Sequence, residues 1–581
     1  MLSGVGREPA LECDREQQLS LLPQYEDHTN SHNHNHDHDH DHDYDHDHDH
    51  DLNHDHNGLD ENASKSASGS RPRGNRVECL DGLRGIACIA VFNYHFLWPW
   101  TQSIMLSYGM MGPRSPEPYM NWLSLPIICL LHRGRPMVAV FFAISGYVLC
   151  RHIIRSIHER DWETFRRNLS SAVFRRVFRL YIPPTLSMLI VALLAQTGTF
   201  RSETAIYKGP DSIFINGSVT TAQMTKSCFA GSFPAVGAPG IADYMGLRSS
   251  GYLDGAAVFS DMVCLHRKSQ LLPPTALEVE VKGFSRLQWV QYGGSWEEHP
   301  LMHGNLTHAL QDFGRVYAEW ANPFNANNYY PRYDPHTWTI PVEFRGSMLI
   351  YIFLLGTLAL KPKWRLSLAG CLSVYSLAFG RWDMATFLGG AMLSDLDIWT
   401  SLAEKSQHRA SISPATDASF SFSRICESAV ARWAAFTTAL YLLSYPDIGA
   451  EYTPGFVFLS WFVPRYYLPF GGWMFYQPIG ALLLLPCVIR SPLLSNFLEG
   501  PVAQYLGKIS FSLYLIHGPI LHSLGFWVMP RLFEHFGRTG GYVIGWVGLF
   551  SISLYLAHWW YKNIDIWSTG VGKRLERLLA N

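Results

Sequence analysis

Charged residues are scarce in this chain of 581 residues. Asp, Glu, Lys and Arg together make up 16% of it, whereas soluble domains carry about 25%. Apolar residues account for 48%, and Phe, Trp and Tyr for 14%. This composition excludes an ordinary soluble protein and favours one that is embedded in a lipid bilayer. The net charge of −2 gives no electrostatic reason to expect a nucleic-acid partner.

Paired cysteine motifs are also missing. The ten cysteines include no CxxC pair or other zinc-finger spacing. Cys88, Cys150, Cys371 and Cys487 lie inside apolar runs, where we expect small buried side chains. No apolar segment follows the N-terminal methionine closely, so we expect no cleavable signal peptide.

Residues 1–75 differ from the rest of the chain in composition. Histidine alternates mainly with aspartate between His32 and His56. Such a segment cannot bury an apolar core, so we expect a disordered tail. Closely spaced imidazole and carboxylate groups suit Zn²⁺ or Ni²⁺. A repeat expansion in a weakly constrained tail explains them as well, and we expect no metal to be required for function.

Ten apolar segments follow the tail, and each is close to the roughly 20 residues that a helix needs to cross the hydrocarbon core. They lie at 83–101, 137–153, 180–198, 338–359, 364–380, 384–400, 431–445, 473–489, 507–527 and 541–560. The sequence therefore predicts an all-α, polytopic membrane protein of about ten transmembrane helices.

Lysine and arginine are concentrated in stretches that follow the second, fourth and tenth predicted spans. Eight arginines lie between Arg151 and Arg179, and further basic residues follow the fourth and tenth spans: Lys361, Lys363, Arg365, Lys573, Arg574 and Arg577. The positive-inside rule places these stretches, and with them both termini, in the cytoplasm. We divide the chain into a tail (1–75), a membrane domain (76–565) and a cytoplasmic C-terminal tail (566–581), in an endomembrane or the plasma membrane.

Residues 199–337 form an unusually long connection between the third and fourth predicted spans. The predicted topology puts this loop on the non-cytoplasmic side. It contains Cys228 and Cys264, which could pair in an oxidising compartment, and the sequons at Asn216 and Asn305, which predict a glycoprotein. A connection of this length is expected to have structure or a purpose of its own.

Charged and imidazole groups inside spans are costly to place, so they are candidates for function. Arg84 and His95 lie eleven residues apart in the first span, which puts them on one helix face about 16 Å apart. Alternatively, Arg84 extends to the membrane interface and His95 hydrogen-bonds a neighbouring helix. Arg133, Arg135 and Glu343 lie at the ends of the second and fourth spans.

Five short motifs occur in order along the membrane domain. They are Arg-x10-His from Arg84 to His95, the pair Arg133-x-Arg135, FFxxSGY from Phe141 to Tyr147, WxxxxE from Trp338 to Glu343, and SxSLYLxH from Ser510 to His517. With these motifs the sequence resembles the acyltransferase-3 family of membrane O-acyltransferases over roughly residues 78–565. The segments LDGLRG and WTIPVEFRGS look most like those of fungal members.

The resemblance implies an enzyme that moves an acetyl or other short acyl group from acyl-CoA, its co-substrate, to a hydroxyl of a small metabolite in secondary metabolism. Such a reaction needs a base and positive charge or donors for the oxyanion. His95 is the natural base, although a covalent acyl-histidine is equally open. Arg84, Arg133 and Arg135 would hold donor phosphates or orient the thioester. Glu343 would pair with an arginine or fix the tautomer of the histidine.

The remaining intramembrane histidines have less specific interpretations. We expect His517 and His558 to form interhelical hydrogen bonds, and His132 and His336, at span entrances, to face water. The predicted topology also puts Arg133 and Arg135 on the outer side, whereas acyl-CoA is expected in the cytoplasm. Either the donor reaches into the helix bundle, or the segment 102–136 folds back into it.

Two other functions stay open. One is O-acetylation of a cell-surface glycan, although no hydrolase-like domain follows the tenth span and the long loop differs from compact bacterial members. The other is transport, with the histidine-rich tail buffering metal. A metal path would favour acidic or histidine pairs four residues apart in a span, whereas Asp395 and Asp397 are two apart.

Overall fold

The structure is a computed structural model that describes residues 77–98, 100, 107–110, 118–200, 305–325, 331, 333–410, 429–447, 449–468 and 471–579. The predicted disordered tail, the Asn216 sequon and the Cys228–Cys264 pair lie outside these residues. All regular structure in the described ranges is helical.

The main helices are α1 (Glu78–Leu97), α2 (Gly134–Glu159), α3 (Trp162–Ala195), α4 (Leu306–Ala321), α5 (Thr339–Gly356), α6 (Pro362–Ala378), α7 (Trp382–Ala410), α8 (Ala429–Leu443), α9 (Gly472–Arg490), α10 (Pro492–Leu498), α11 (Pro501–Ile520), α12 (Phe526–Trp560) and α13 (Ile566–Leu579). A π-helical turn joins α11 to α12, and α12 is interrupted by non-helical backbone at Gly537.

A helix overlaps each of the ten predicted spans. Among the residues that the structure describes, five helical segments are long and apolar enough to cross a membrane by length and composition. The prediction of an all-α polytopic membrane protein is therefore confirmed, while the exact number of crossings stays a prediction. In the long loop, α4 follows Asn305, whose side chain accepts a hydrogen bond from the backbone N–H of His308 at 2.8 Å.

Helices α1 and α11 approach each other closely because small residues face each other at their contact. A Cβ added at Gly85 would lie 2.6 Å from the backbone nitrogen of Gly507 and 2.8 Å from the backbone oxygen of Ala503. Small residues at such contacts let helix backbones approach in a membrane, where van der Waals packing drives association. This contact sets the spacing of the two helices that carry His95 and His517.

A buried ion-pair network joins α2, α6 and α7 at the end that the topology predicts to be cytoplasmic. Arg365 is 1% exposed and donates to the two carboxylate oxygens of Asp395 at 2.6 and 2.7 Å. The Nε2 atom of His158 lies 2.8 Å from the same carboxylate. Asp397 binds Arg151 at 2.9 Å. Both aspartates of the sixth predicted span are thus engaged by basic side chains from other helices.

The cysteines confirm the expectation of buried side chains in part. Cys88 and Cys150 are buried, and Cys487 is half-buried. The expectation was wrong for Cys371, which is exposed on α6. Many apolar side chains of α6, including Val374 and Tyr375, are exposed in the same way, as expected of a helix whose outer face contacts lipid. Apolar sequence alone does not separate a lipid-facing position from a core position.

Candidate active site

Three histidines from distant parts of the chain meet in one cluster. His95 lies near the end of α1, His336 in the turn before α5, and His517 in α11. Their ring centroids are 5.5 Å apart for His95 and His336, 5.1 Å for His95 and His517, and 4.5 Å for His336 and His517. We call these three residues the histidine cluster. His522 interacts electrostatically with all three.

Parallel packing of α1 and α11 brings two of these rings together. Gly85 contacts Gly507, and His95 contacts His517, each histidine ten residues after its glycine. Ten helical residues rise about 15 Å, so the two histidines reach the same level of the bundle. The spacing Gly-x9-His occurs in both helices and is a sequence signal for the pair.

The turn before α5 adds the third ring. The hydroxyl of Tyr514 contacts both the backbone oxygen of His336 and the hydroxyl of Thr339, the latter at 2.6 Å. A Cβ at position 518 would clash with the His336 ring, so only glycine leaves room for this approach. His336 is 6% exposed, and the expectation that it faces water was wrong, because the turn packs onto α11.

The three imidazoles differ in what binds their nitrogens. His336 has an acceptor at each: Asp334 lies 2.8 Å from Nδ1, and the Tyr514 carbonyl lies 2.6 Å from Nε2. Nδ1 of His517 lies 3.0 Å from the Leu513 carbonyl, and its buried Nε2 has no hydrogen-bond partner among the described residues. His95 is half-buried and forms no side-chain hydrogen bond within the described part of the chain.

Charged and hydroxyl side chains from α2, α3 and α5 form a second polar cluster. Arg176 donates to Glu343 at 2.7 Å and to the hydroxyl of Ser347 at 3.0 Å. Ser145 also donates to Glu343, at 3.1 Å. Arg179 interacts electrostatically with Arg84, Arg176, Glu343 and Asp565. Glu343 therefore pairs with an arginine, one of the two roles expected for it, and among the described residues no hydrogen bond or ion pair joins it to the histidine cluster.

Arg84 retains a partly open position on α1. Its guanidinium lies 3.8 Å from Asp81, with the Arg84 side chain 27% exposed. Arg179 lies close enough to Arg84 and Arg176 to interact electrostatically, so three guanidinium groups share one region of the bundle with the carboxylates of Glu343 and Asp565. Arg176 and Arg179 belong to the basic stretch that was predicted to be a cytoplasmic loop. They belong instead to α3, which begins at Trp162, well before the predicted start of its span.

The pair Arg133 and Arg135 lies in a separate set of contacts, in which Arg133 is buried and Arg135 is half-buried. Arg133 is 0% exposed and donates to the hydroxyl of Ser107 at 3.2 Å. Arg135 lies 4.0 Å from Asp447 and packs over the ring of Trp473. Among the described residues of the segment 102–136, residues 118–133 pack back on the bundle, where the backbone N–H of Ile127 donates to Ser444 at 2.7 Å. This geometry agrees with the explanation that the segment 102–136 folds back into the helix bundle.

The predictions for the other histidines had different outcomes. His558 of α12 lies 3.1 Å from the hydroxyl of Tyr505 in α11, which confirms the predicted interhelical hydrogen bond. For His517 that prediction was wrong, since its hydrogen bond goes to Leu513 in the same helix. His132 is 6% exposed and its Nε2 lies 2.9 Å from the Leu123 carbonyl, so the expectation that it faces water was also wrong.

Chemically, the histidine cluster offers two imidazoles with available nitrogens and a third fixed by a carboxylate. Imidazoles titrate near neutral pH and serve as bases, acids or nucleophiles. Asp334, 1% exposed, was missed by sequence analysis. Its position two residues before His336 gave no signal, because both residues belonged to a loop without a predicted fold.

Comparison with known proteins agrees with this chemistry. A family model described as an acyltransferase domain matches residues 77–235 and 296–559; the gap between them lies inside the long loop. The O-acetyltransferase PaAT-1 of Phomopsis amygdali is 26% identical over 513 residues, which cover 86% of this chain and 84% of the relative. Acyltransferase R4 of a Phoma species is 24% identical, covering 80% and 86%. Acyltransferase clz18 of Cochliobolus lunatus is 24% identical, covering 79% and 85%. No solved structure matches the chain.

Proposed function

This chain belongs to the acyltransferase-3 family and is an acyltransferase of the membrane; we propose that it transfers an acetyl or other short acyl group from acyl-CoA to a hydroxyl of a small metabolite. The observation that carries this proposal is the histidine cluster, in which half-buried His95 contacts two further imidazoles. The printed name of the relative PaAT-1, an O-acetyltransferase, supports an oxygen acceptor and an acetyl group.

His95 supplies the reactive imidazole. Acyl transfer from a thioester to an alcohol requires the hydroxyl to lose a proton and the departing thiolate to gain one. An imidazole with no competing hydrogen bond can reach the reacting atoms, whereas both nitrogens of His336 already face acceptors. The neighbouring Asp334–His336 pair then holds the turn that forms one wall of the site.

The donor approaches from the cytoplasmic side, with its phosphates near Arg84, Arg176 and Arg179 and its thioester at His95. Guanidinium groups bind phosphate in bidentate fashion, and about 16 Å of α1 separates Arg84 from His95. A long flexible donor arm suits that separation. The expectation that Arg133 and Arg135 hold the phosphates stays a competing proposal. The complete burial of Arg133 and the ion pair of Arg135 with Asp447 favour a structural role for them. No metal takes part in this scheme.

The acceptor belongs to fungal secondary metabolism in this proposal, since the relatives above come from fungi. The protein acts in an endomembrane or the plasma membrane, with both termini in the cytoplasm and α4 on the other side. Acylation of a cell-surface glycan differs from this proposal only in the acceptor, and metabolite analysis separates the two.

The test compares cells that carry the wild-type protein with cells that carry His95→Ala or His95→Gln. Untargeted metabolite profiling should find an acylated product in wild-type cells alone, because neither variant can shuttle a proton at neutral pH. A positioned base or nucleophile is worth roughly 10²–10⁴-fold in rate. His558→Gln is the matched control, since His558 also lies in a membrane helix with one hydrogen bond. Full activity of His95→Gln would exclude His95 from the chemistry.

A further inference from the structure

His517 is the one member of the histidine cluster with a defined free lone pair. The Leu513 carbonyl, 3.0 Å from Nδ1, can only accept a hydrogen bond. Nδ1 therefore carries the proton of the neutral ring, and Nε2 carries the lone pair. Nε2 is buried and has no hydrogen-bond partner among the described residues. The ring thus presents a fixed base inside the cluster.

His336 is ruled out as that base by the same reasoning. Both of its nitrogens lie within 2.8 Å of acceptors, Asp334 and the Tyr514 carbonyl. The Tyr514 carbonyl can only accept, so the proton of the neutral ring lies on Nε2, and Nδ1 is occupied by the Asp334 carboxyl group. Neither nitrogen is therefore open to a substrate hydroxyl. His95 and His517, whose rings are 5.1 Å apart, are left as the two reacting imidazoles.

Resting on the proposed function, we infer that the two histidines divide the reaction: His95 carries the acyl group as a covalent intermediate, and His517 is the base that activates the acceptor hydroxyl. A single histidine is poorly suited to both roles, because acylation occupies one nitrogen of the imidazole and strongly lowers the basicity of the other. A separate base in ring contact removes that difficulty.

Each step balances in atoms and protons. In the first step a nitrogen of His95 attacks the thioester carbon, an N–C bond forms and the C–S bond breaks. The CoA thiolate leaves with the proton from the other nitrogen of His95. In the second step Nε2 of His517 takes the acceptor's hydroxyl proton while the oxygen attacks the acyl carbon. The N–C bond breaks, and His95 regains a proton from His517.

The arrangement of charges agrees with a two-step reaction. Arg84, proposed to hold the donor, lies near the start of α1, whereas His95 lies in its last turn, in ring contact with His336. A covalent acyl-histidine lets the donor withdraw before the acceptor binds. Direct transfer would require both substrates to reach one buried cluster together.

Isotope exchange tests the first step without knowledge of the acceptor. Purified full-length protein is mixed with acetyl-CoA and radiolabelled CoA, and label in acetyl-CoA is measured. The wild type should catalyse exchange, and His95→Ala should not. His517→Gln should exchange at close to the wild-type rate, because glutamine can still donate to Leu513 and the first step does not use His517. Its transfer to metabolite-extract acceptors should fall by roughly 10²–10⁴-fold, the value of a positioned base.

Mass spectrometry supplies the second measurement. After acetyl-CoA is added to His517→Gln, the peptide containing His95 should gain one acetyl group that hydroxylamine removes. His558→Gln should match the wild type in exchange and in transfer. Transfer by the wild type without exchange and without label on His95 would overturn the covalent step. Normal transfer by His517→Gln would overturn the base. Absence of any acetyl transfer by the wild type would instead refute the proposed function.

Discussion

Replacing Glu343 by glutamine would leave the guanidinium of Arg176 without a counter-charge inside the helix bundle. The side chains of Arg176 and Glu343 are 8% and 18% exposed, and their closest atoms are 2.7 Å apart. The hydroxyl of Ser347, which accepts from Arg176, and that of Ser145, which donates to Glu343, cannot replace the lost charge. Breaking a buried ion pair by removing one partner costs about 3–5 kcal/mol. Glu343→Gln should therefore lower stability strongly.

The assay is the thermal midpoint of the detergent-solubilised protein, followed by size-exclusion chromatography of a fluorescent fusion. Glu163→Gln is the control, because Glu163 and its partner Arg166 are 76% and 77% exposed and such surface pairs contribute roughly 0–1 kcal/mol. The double variant Arg176→Met with Glu343→Leu should recover much of the loss, since apolar replacement of a whole buried pair is often neutral or stabilising.

Two results separate a structural from a chemical role for Glu343. If the pair is structural, the midpoint of Glu343→Gln falls and that of the double variant rises again. If Glu343→Gln melts like the wild type but has lost acyl transfer, the reasoning is refuted and the carboxylate acts in the reaction. Sequence motifs left these two roles open, and only the contact with Arg176 favours the first.

Further predictions concern the two arginine groups and the long loop. Arg84→Ala should fold normally and raise the KM for acyl-CoA. Arg84→Lys should retain part of the affinity, because a point charge still holds phosphate. An unchanged KM in Arg84→Ala would remove Arg84 from the donor site. Arg133→Ala should reduce the yield of folded protein, because Arg133 is fully buried; a normal yield with a raised KM would return it to the donor site. Glycosidase treatment should shift the protein's mobility if Asn305 is lumenal and glycosylated. Thr307→Ala and Asn305→Asp should both reduce that shift to the part contributed by Asn216, and the aspartate should preserve the helix cap at the His308 N–H. A shift that is undiminished in both variants would exclude Asn305.

The membrane fold could be predicted because it depends on local properties of the sequence. A span requires an uninterrupted apolar stretch of the right length, and backbone groups in the bilayer must be satisfied within the helix. Both are properties of consecutive residues. Arg84 and His95 could be related in the same way, since they belong to one helix, α1. Helix ends were less predictable: α3 extends far beyond its apolar part, which moved Arg176 from a presumed loop into the bundle.

The site was predicted only where its parts are close in sequence. His336 comes from the end of the long loop, and hydropathy gave that loop no structure. Its burial depends on contacts with Tyr514 and Gly518, almost two hundred residues away. Asp334, two residues before His336, reaches the site through the same contacts of the turn. For Glu343, the motif identified a residue of interest but could not show which arginine it binds.

The pairing of His95 with His517 was nevertheless present in the sequence as a repeated spacing. Both helices carry a glycine ten residues before the histidine, in GIACIAVFNYH and GKISFSLYLIH. Two parallel helices in contact at their glycines must bring residues of equal spacing to similar heights, because both rise about 1.5 Å per residue. The contact of Gly85 with Gly507 therefore does more than hold α1 against α11. It sets the register in which one imidazole meets the other, and a larger side chain at either glycine would separate the two rings without altering either histidine.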